Sequence, residues 1–76
     1  GLGDVYKRQQ KGLPGILIEL KAEKNCSDEK LKKLSETALQ QINDKKYETE
    51  LTTAGVRTIY KYGVAFSGKK VEVAVG

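Results

Sequence analysis

Glu19 and Lys21 are the residues of this 76-residue chain whose types and spacing best suit chemistry. They flank Leu20 in the branched, apolar run Ile16-Leu17-Ile18-Glu19-Leu20-Lys21-Ala22, which predicts a strand over residues 15 to 22. Residues two apart in a strand point to the same side and lie roughly 7 Å apart. A carboxylate and a lysine so placed could hold a magnesium ion and contact the same reacting phosphate. The predicted chemistry is metal-assisted hydrolysis of a phosphate ester.

The acidic-x-Lys spacing alone leaves a second interpretation open. It occurs twice more, as Asp28-Glu29-Lys30 and Asp44-Lys45-Lys46, where a helix is predicted and solvated helix faces are the simplest explanation. For Glu19 and Lys21 the alternative is an ion pair between strands or at the surface. Gln41 and Tyr47 could reach from the helix toward the same site, or could be only a polar helix flank and a tyrosine that ends a helix.

Composition excludes several other kinds of chemistry. The chain has no histidine and one cysteine, Cys26, so it cannot form an internal disulfide, a zinc site of the usual ligands, or a Ser-His-Asp or Cys-His nucleophile system. The net charge of +4 permits contact with a phosphate backbone without requiring it. No run approaches the roughly 20 apolar residues of a membrane span. These features fit a small cytoplasmic domain with a single core.

A helix is predicted after the first strand. Ser27 is a suitable N-cap, and it is followed by acidic residues in the first turn. Apolar residues recur at helical spacing up to about Tyr47, at Leu31, Leu34, Ala38 and Ile42. Residues 48 to 55 are expected to add at most a frayed turn, with Gly55 as the C-cap.

Alternating residues from Val56 to Phe66 predict a second strand, which a crossover helix would place parallel to the first, either directly beside it or with one strand between them. Ser67-Gly68 is interpreted as the two-residue loop of a hairpin. This loop would set three cross-strand pairs on one apolar face: Val64 with Val71, Tyr62 with Val73, and Tyr60 with Val75.

The N-terminal residues match a DNA adapter rather than a protein motif. Asp4-Val5-Tyr6-Lys7-Arg8-Gln9 is the translation, in one frame, of the transposase mosaic-end adapter. We therefore interpret residues 1–9 as translated library adapter and residues 10–76 as the native, C-terminal part of a single domain. On this interpretation residues 1–9 contribute nothing specific to the fold.

The order of the segments resembles a known family. Pro14-Gly15-Ile16-Leu17-Ile18-Glu19-Leu20-Lys21, a helix ending in Gln41-Ile42 and Lys46-Tyr47, and the strand Tyr62-Gly63-Val64-Ala65-Phe66-Ser67-Gly68-Lys69 together resemble the PD-(D/E)XK nuclease domain found at the C-terminus of bacterial AAA-ATPase-like proteins. The resemblance covers residues 12 to 75.

This resemblance implies an α/β fold, here the strand-helix-strand and C-terminal β-hairpin of an αβββαβ core. It implies that Glu19 binds a metal ion, that the Leu20 carbonyl is a further ligand, and that Lys21 is the catalytic lysine, with Gln41 and Tyr47 in supporting roles. The implied cofactor is Mg2+, the substrate is DNA, and an AAA-ATPase-like domain belongs to the same parent chain. The family's second acidic ligand is expected upstream of Gln10, so the chain is expected to be inactive as it stands. The alternative is a non-catalytic docking or nucleic-acid-binding module.

Overall fold

The computed structural model describes residues 4–8, 13–44 and 47–76, the first of these ranges by its backbone. Its elements are the strands β1 (Asp4–Arg8) and β2 (Gly15–Ala22), the helices α1 (Asp28–Asp44) and α2 (Tyr47–Thr53), and the strands β3 (Ile59–Ser67) and β4 (Lys70–Val75). They form one four-stranded sheet in the order β1-β2-β3-β4. The outer pairs are antiparallel and the central pair β2–β3 is parallel. The predicted α/β class, with a strand-helix-strand unit and a C-terminal hairpin, is confirmed.

The β2 strand has the bounds that the sequence predicts, because its branched residues favour extended backbone and Pro14 precedes it. It pairs directly with β3, from Gly15 opposite Ile59 to Ala22 opposite Phe66. The parallel arrangement predicted for the crossover is therefore confirmed. The strand predicted to start at Val56 is β3, which begins at Ile59. The side chain of Val56 lies in the core instead.

Both predicted helix caps are present. Ser27 Oγ accepts a hydrogen bond from the Lys30 backbone N–H at 3.1 Å, which caps α1. At the end of α2, Gly55 has φ +91°, and the backbone N–H groups of Gly55 and Val56 donate to the carbonyls of Thr52 and Leu51. This pair of bonds is the Schellman arrangement. The segment expected to be a frayed turn is a short helix, because Leu51 is completely buried and anchors it.

The hairpin differs from prediction in its register. Its loop is Gly68-Lys69, and Val64 lies opposite Val73 instead of Val71. Gly68 has φ +59°, which fits the first central position of a type II′ turn. The shift is two residues, so every side chain keeps the face that was predicted for it.

The core lies between the sheet and the helices, in two clusters. One contains Leu17, Ile42, Leu51 and Val56, and the other contains Cys26, Leu31 and Ala65. Helix α1 packs over β3 and contributes to both clusters, Ile42 to the first and Leu31 to the second. The face of the sheet beneath α1 is therefore the covered face, and the opposite face carries the residues expected to form an apolar surface.

The segment interpreted as adapter also takes part in the sheet. The backbone of β1 pairs with β2 over five residues, from Asp4 opposite Leu20 to Arg8 opposite Ile16. The expectation that this segment contributes nothing specific to the fold therefore differs from the structure. Backbone pairing depends little on side-chain identity, so it leaves the origin of these residues untested. Neither helix of the described residues has the length and apolar character of a membrane span.

Candidate functional site

Glu19 lies in the middle of β2, on the covered face, with no exposed surface. Its neighbours across the sheet are Gly63 on β3 and residue 5 on β1. A fully buried glutamate is rare in proteins because the charged form loses its hydration. The burial rules out a surface ion pair for Glu19 and leaves a functional or structural role within the core.

Gly63 explains why α1 can cover Glu19 so closely. A Cβ atom at this position would collide with the carbonyl oxygen of Ser35 and lie 2.5 Å from the Leu39 nitrogen, so only glycine fits beneath the helix backbone. The backbone of α1 thus comes close to the sheet at Gly63, the residue that pairs with Glu19. Gly63 was not among the predicted site residues, although an isolated glycine within a strand is the sequence signal of such an approach.

Lys21 lies on the same face as Glu19, one step nearer the end of β2. It is half-buried and stands opposite Ala65, which is completely buried. The structure therefore brings Glu19 and Lys21 to one side of one strand, as predicted. The intervening Leu20 is directed to the opposite face, and its carbonyl lies in the sheet plane between the partners Asp4 and Val64.

Two hydrogen bonds connect the loop that follows β2 to the β3–β4 hairpin, close to the end of β2 that carries Lys21. The backbone N–H of Cys26 donates to Ser67 Oγ at 2.9 Å, and Lys70 Nζ donates to the Cys26 carbonyl at 3.1 Å. Lys70 also pairs with the Asp28 carboxylate at 3.1 Å. These contacts fix the start of α1 relative to β3 and β4, and with it the end of β2 that carries Lys21.

Glu23 in the same loop contacts both Cys26 of that loop and Lys30 in the first turn of α1. Glu23 Oε1 lies 3.1 Å from Lys30 Nζ, and the Cys26 thiol lies 3.5 Å from Glu23 Oε2. The hydrogen bond to Lys30, supported by that to Cys26, lowers the pKa of Glu23 below its ordinary value. Burial, followed by the nearby Glu23 carboxylate, raises the pKa of the Cys26 thiol. Cys26 is therefore held as a neutral, poorly nucleophilic thiol.

Gln41 and Tyr47 lie near the end of α1 and at the start of α2. Gln41 is half-buried and precedes Ile42, which belongs to the core cluster that contains Leu17. Tyr47 is half-buried against the core cluster that contains Leu17, on the side of Glu19 away from Lys21.

The other two acidic-x-Lys matches differ from Glu19 and Lys21 in burial. Asp28, Glu29 and Lys30 are exposed in the first turn of α1. Asp44 is exposed at its end and accepts a hydrogen bond from Gln40. Lys45 and Lys46 lie outside the described residues. The described parts of both matches agree with the interpretation as solvated helix faces.

The described residues do not by themselves fit a resident magnesium ion. No group of three or more Cys, Asp or Glu side chains within them is close enough to share a metal ion. Glu19 supplies one carboxylate, while the positions beside it are Gly63 and Val5, neither of which carries an oxygen-bearing side chain. Magnesium favours several oxygen ligands in an octahedral arrangement, for which one carboxylate is insufficient.

Comparison with protein families gives a match. The model of the PD-(D/E)XK nuclease superfamily matches residues 5–75, which is nearly the whole chain and includes Glu19 and Lys21. The chain therefore belongs to the PD-(D/E)XK nuclease superfamily. Comparison with curated proteins and with solved structures gives no match.

Proposed function

We propose that this chain is part of a magnesium-dependent nuclease domain that hydrolyses phosphodiester bonds in DNA. The observation that carries the proposal is the placement of Glu19 and Lys21. Within a match to the nuclease superfamily, the two residues share one face of one strand, and the carboxylate is completely buried. A buried carboxylate beside a lysine is a recurrent arrangement of functional sites.

In this proposal Lys21 acts on the reacting phosphate. Its ammonium group can orient the attacking water or stabilise the negative charge that develops on the phosphoryl oxygens. Glu19 would provide one metal ligand, and the Leu20 carbonyl would provide another. Bound magnesium would withdraw charge from the phosphate and lower the pKa of a bound water. Gln41, which is half-buried on α1, would support this site from the helix, and Tyr47 would fix the helix pair that covers it.

The missing oxygen ligand is expected on β1. The position directly opposite Glu19 is Val5, and directly opposed residues of antiparallel strands share a face, with Cα atoms about 4.5–5.5 Å apart. We further propose that residues 1–9 are adapter sequence and that the native strand carries an Asp at this position. The natural chain would also include an AAA-ATPase-like domain and act in the cytoplasm.

A second candidate function is a non-catalytic docking or nucleic-acid-binding module of the same fold. The valine opposite Glu19 favours it, because a lone carboxylate is a poor magnesium site. The two candidates differ in what an added carboxylate should do.

The discriminating variant is Val5→Asp, which adds a carboxylate at the position that pairs with Glu19. Under the nuclease proposal, isothermal titration with Mg2+ detects binding to Val5→Asp that exceeds binding to the parent chain, and Glu19→Ala in the same background abolishes it. Val5→Asn is the matched control, since it adds a polar side chain of similar size without the charge. Binding that is equal in Val5→Asp and Val5→Asn would support the docking module.

Cleavage is then measured in the Val5→Asp background, with plasmid and single-stranded DNA in Mg2+. Glu19→Ala should abolish cleavage, and Lys21→Ala should reduce it about 100-fold or more while leaving Mg2+ affinity largely unchanged. Glu36→Ala, which removes an exposed carboxylate of α1, is the control and should cleave at the rate of its background. Cleavage that survives Glu19→Ala would show that this strand is not the catalytic one.

A further inference from the structure

The charged residues of this chain are concentrated unevenly along the molecule. The end at which β2 and β3 finish carries the β2–α1 loop, the first turns of α1 and the β3–β4 turn. These segments, residues 21–33 and 66–71, hold seven lysines and three acidic residues: Lys21, Lys24, Lys30, Lys32, Lys33, Lys69 and Lys70, with Glu23, Asp28 and Glu29. Their balance of +4 equals the net charge of the whole chain, so we call this region the basic end.

Two of the three acidic residues of the basic end are already paired within the fold. Glu23 and Asp28 each lie 3.1 Å from a lysine ammonium group. Lys24 and Lys69, by contrast, are exposed and form no ion pair with another described residue. Their ammonium groups therefore remain available to an anion from outside the chain.

Lys24 and Lys69 belong to two loops that lie side by side. The backbone N–H of Cys26 donates to Ser67 Oγ at 2.9 Å, which joins the β2–α1 loop to the end of β3. Lys24 and Gly68, the residue before Lys69, line the same groove at the ends of β2 and β3. The two lysines are thus presented together at the basic end.

We propose that Lys24 and Lys69 bind phosphates of a DNA strand on either side of the phosphate that Lys21 contacts. This rests on the proposed function, which assigns Lys21 to the reacting phosphate. Lys24 follows Lys21 by three residues, so their Cα atoms are at most about 10 Å apart. Consecutive phosphates of one strand rise about 3.4 Å along the duplex axis, so phosphates up to about three nucleotides from the reacting one are within reach. Such contacts position the strand without reading its sequence.

The proposal is tested by binding of the intact chain to a fluorescein-labelled DNA duplex of about 20 base pairs, followed by fluorescence anisotropy from about 50 to about 300 mM salt. EDTA is present throughout, so that the result does not depend on cleavage. Lys24→Gln and Lys69→Gln should each raise the Kd about tenfold at about 100 mM salt and lower the slope of log Kd against log salt by about 1. Both effects should be the same for duplexes of unrelated sequence.

Arg57→Gln is the matched control. It removes the same charge from an exposed residue that lies shortly before β3, at the opposite end of that strand from the basic end. It should bind the duplex with the affinity and the salt slope of the parent chain. Circular dichroism checks that all three variants are folded, which their exposed positions favour.

Three outcomes would overturn the proposal. Folded Lys24→Gln and Lys69→Gln that keep the parent's salt slope would show that neither lysine contacts a phosphate. A loss of slope in Arg57→Gln equal to theirs would assign binding to the net charge of the chain. A parent chain that binds vesicles of phosphatidylserine and phosphatidylcholine but not the duplex would assign the basic end to a lipid surface. Reduced slopes without any cleavage in the Val5→Asp background would support this proposal and contradict the nuclease activity alone.

Discussion

Gly63 and Glu19 lie directly opposite each other on β3 and β2, and the backbone of α1 crosses above the glycine. Gly63→Ala should therefore destabilise the chain by about 3 kcal/mol, because its Cβ would meet the helix backbone rather than a flexible side chain. Chemical denaturation measures the loss. In the control Gly68→Ala, the added Cβ meets no atom within 4 Å, and the positive φ alone should cost about 1–2 kcal/mol. Similar losses for the two variants would mean that α1 can shift away from Gly63 at little cost.

The strand β2 and the start of α1 could be predicted from the sequence, because residues close together in the chain determine them. The β2 strand follows from branched residues after Pro14, and the start of α1 follows from the Ser27 cap. The hairpin register could not be predicted, because a two-residue shift preserves the alternation of faces. Ser67 settles the register: it is buried, accepts the bond from Cys26 and so belongs to β3 rather than to the turn. That contact joins residues 41 apart in the chain.

The candidate site was only partly predictable for the same reason. Residues two apart on a strand must share a face, so the common side of Glu19 and Lys21 followed from spacing. The complete burial of Glu19 depends on where α1 crosses the sheet. Alternation of residue types along β3 and β4 predicts which face of the sheet is apolar, but it does not indicate whether that face is covered. In the structure α1 covers the opposite face, which carries Glu19 and Ala65.

Removal of residues 1–9 tests the contribution of β1. Deletion should lower the free energy of unfolding by more than about 1 kcal/mol, because β2 loses a paired neighbour over five residues and becomes an open edge. Chemical denaturation of the shortened chain measures the loss. Deletion of residues 1–3 alone, which precede the strand, is the control and should change stability little. A loss below 1 kcal/mol for the longer deletion would show that the pairing adds little to stability.

Glu23 should make stability depend on pH in the acidic range. Its bond to Lys30 lowers the pKa of the carboxyl in the folded chain below the ordinary value of 4.5. The stabilisation is therefore present above about pH 4.5 and is lost as the pH falls through the lower, folded pKa. Denaturation midpoints measured from pH 7 to about pH 3 should fall less steeply for Glu23→Gln than for the parent. Glu36→Gln should follow the parent, and equal slopes for the parent and Glu23→Gln would contradict the assignment.

The Cys26 thiol should react slowly in the folded chain, because burial and the adjacent Glu23 raise its pKa above the ordinary value of 9.0. Since thiolate is the reactive form, labelling with a disulfide reagent at pH 8 should be at least about 100-fold slower than in urea, where the thiol regains its normal pKa and access. Ser67→Ala removes the acceptor of the Cys26 backbone N–H and should loosen the loop, so that labelling accelerates about tenfold at a stability loss of about 1–3 kcal/mol. Thr37→Ala, which removes an exposed hydroxyl of α1, should leave the rate unchanged. Labelling of the folded parent as fast as in urea would show that the loop between β2 and α1 opens freely, and that the contacts to Ser67 and Lys70 do not hold the Lys21 end of the site.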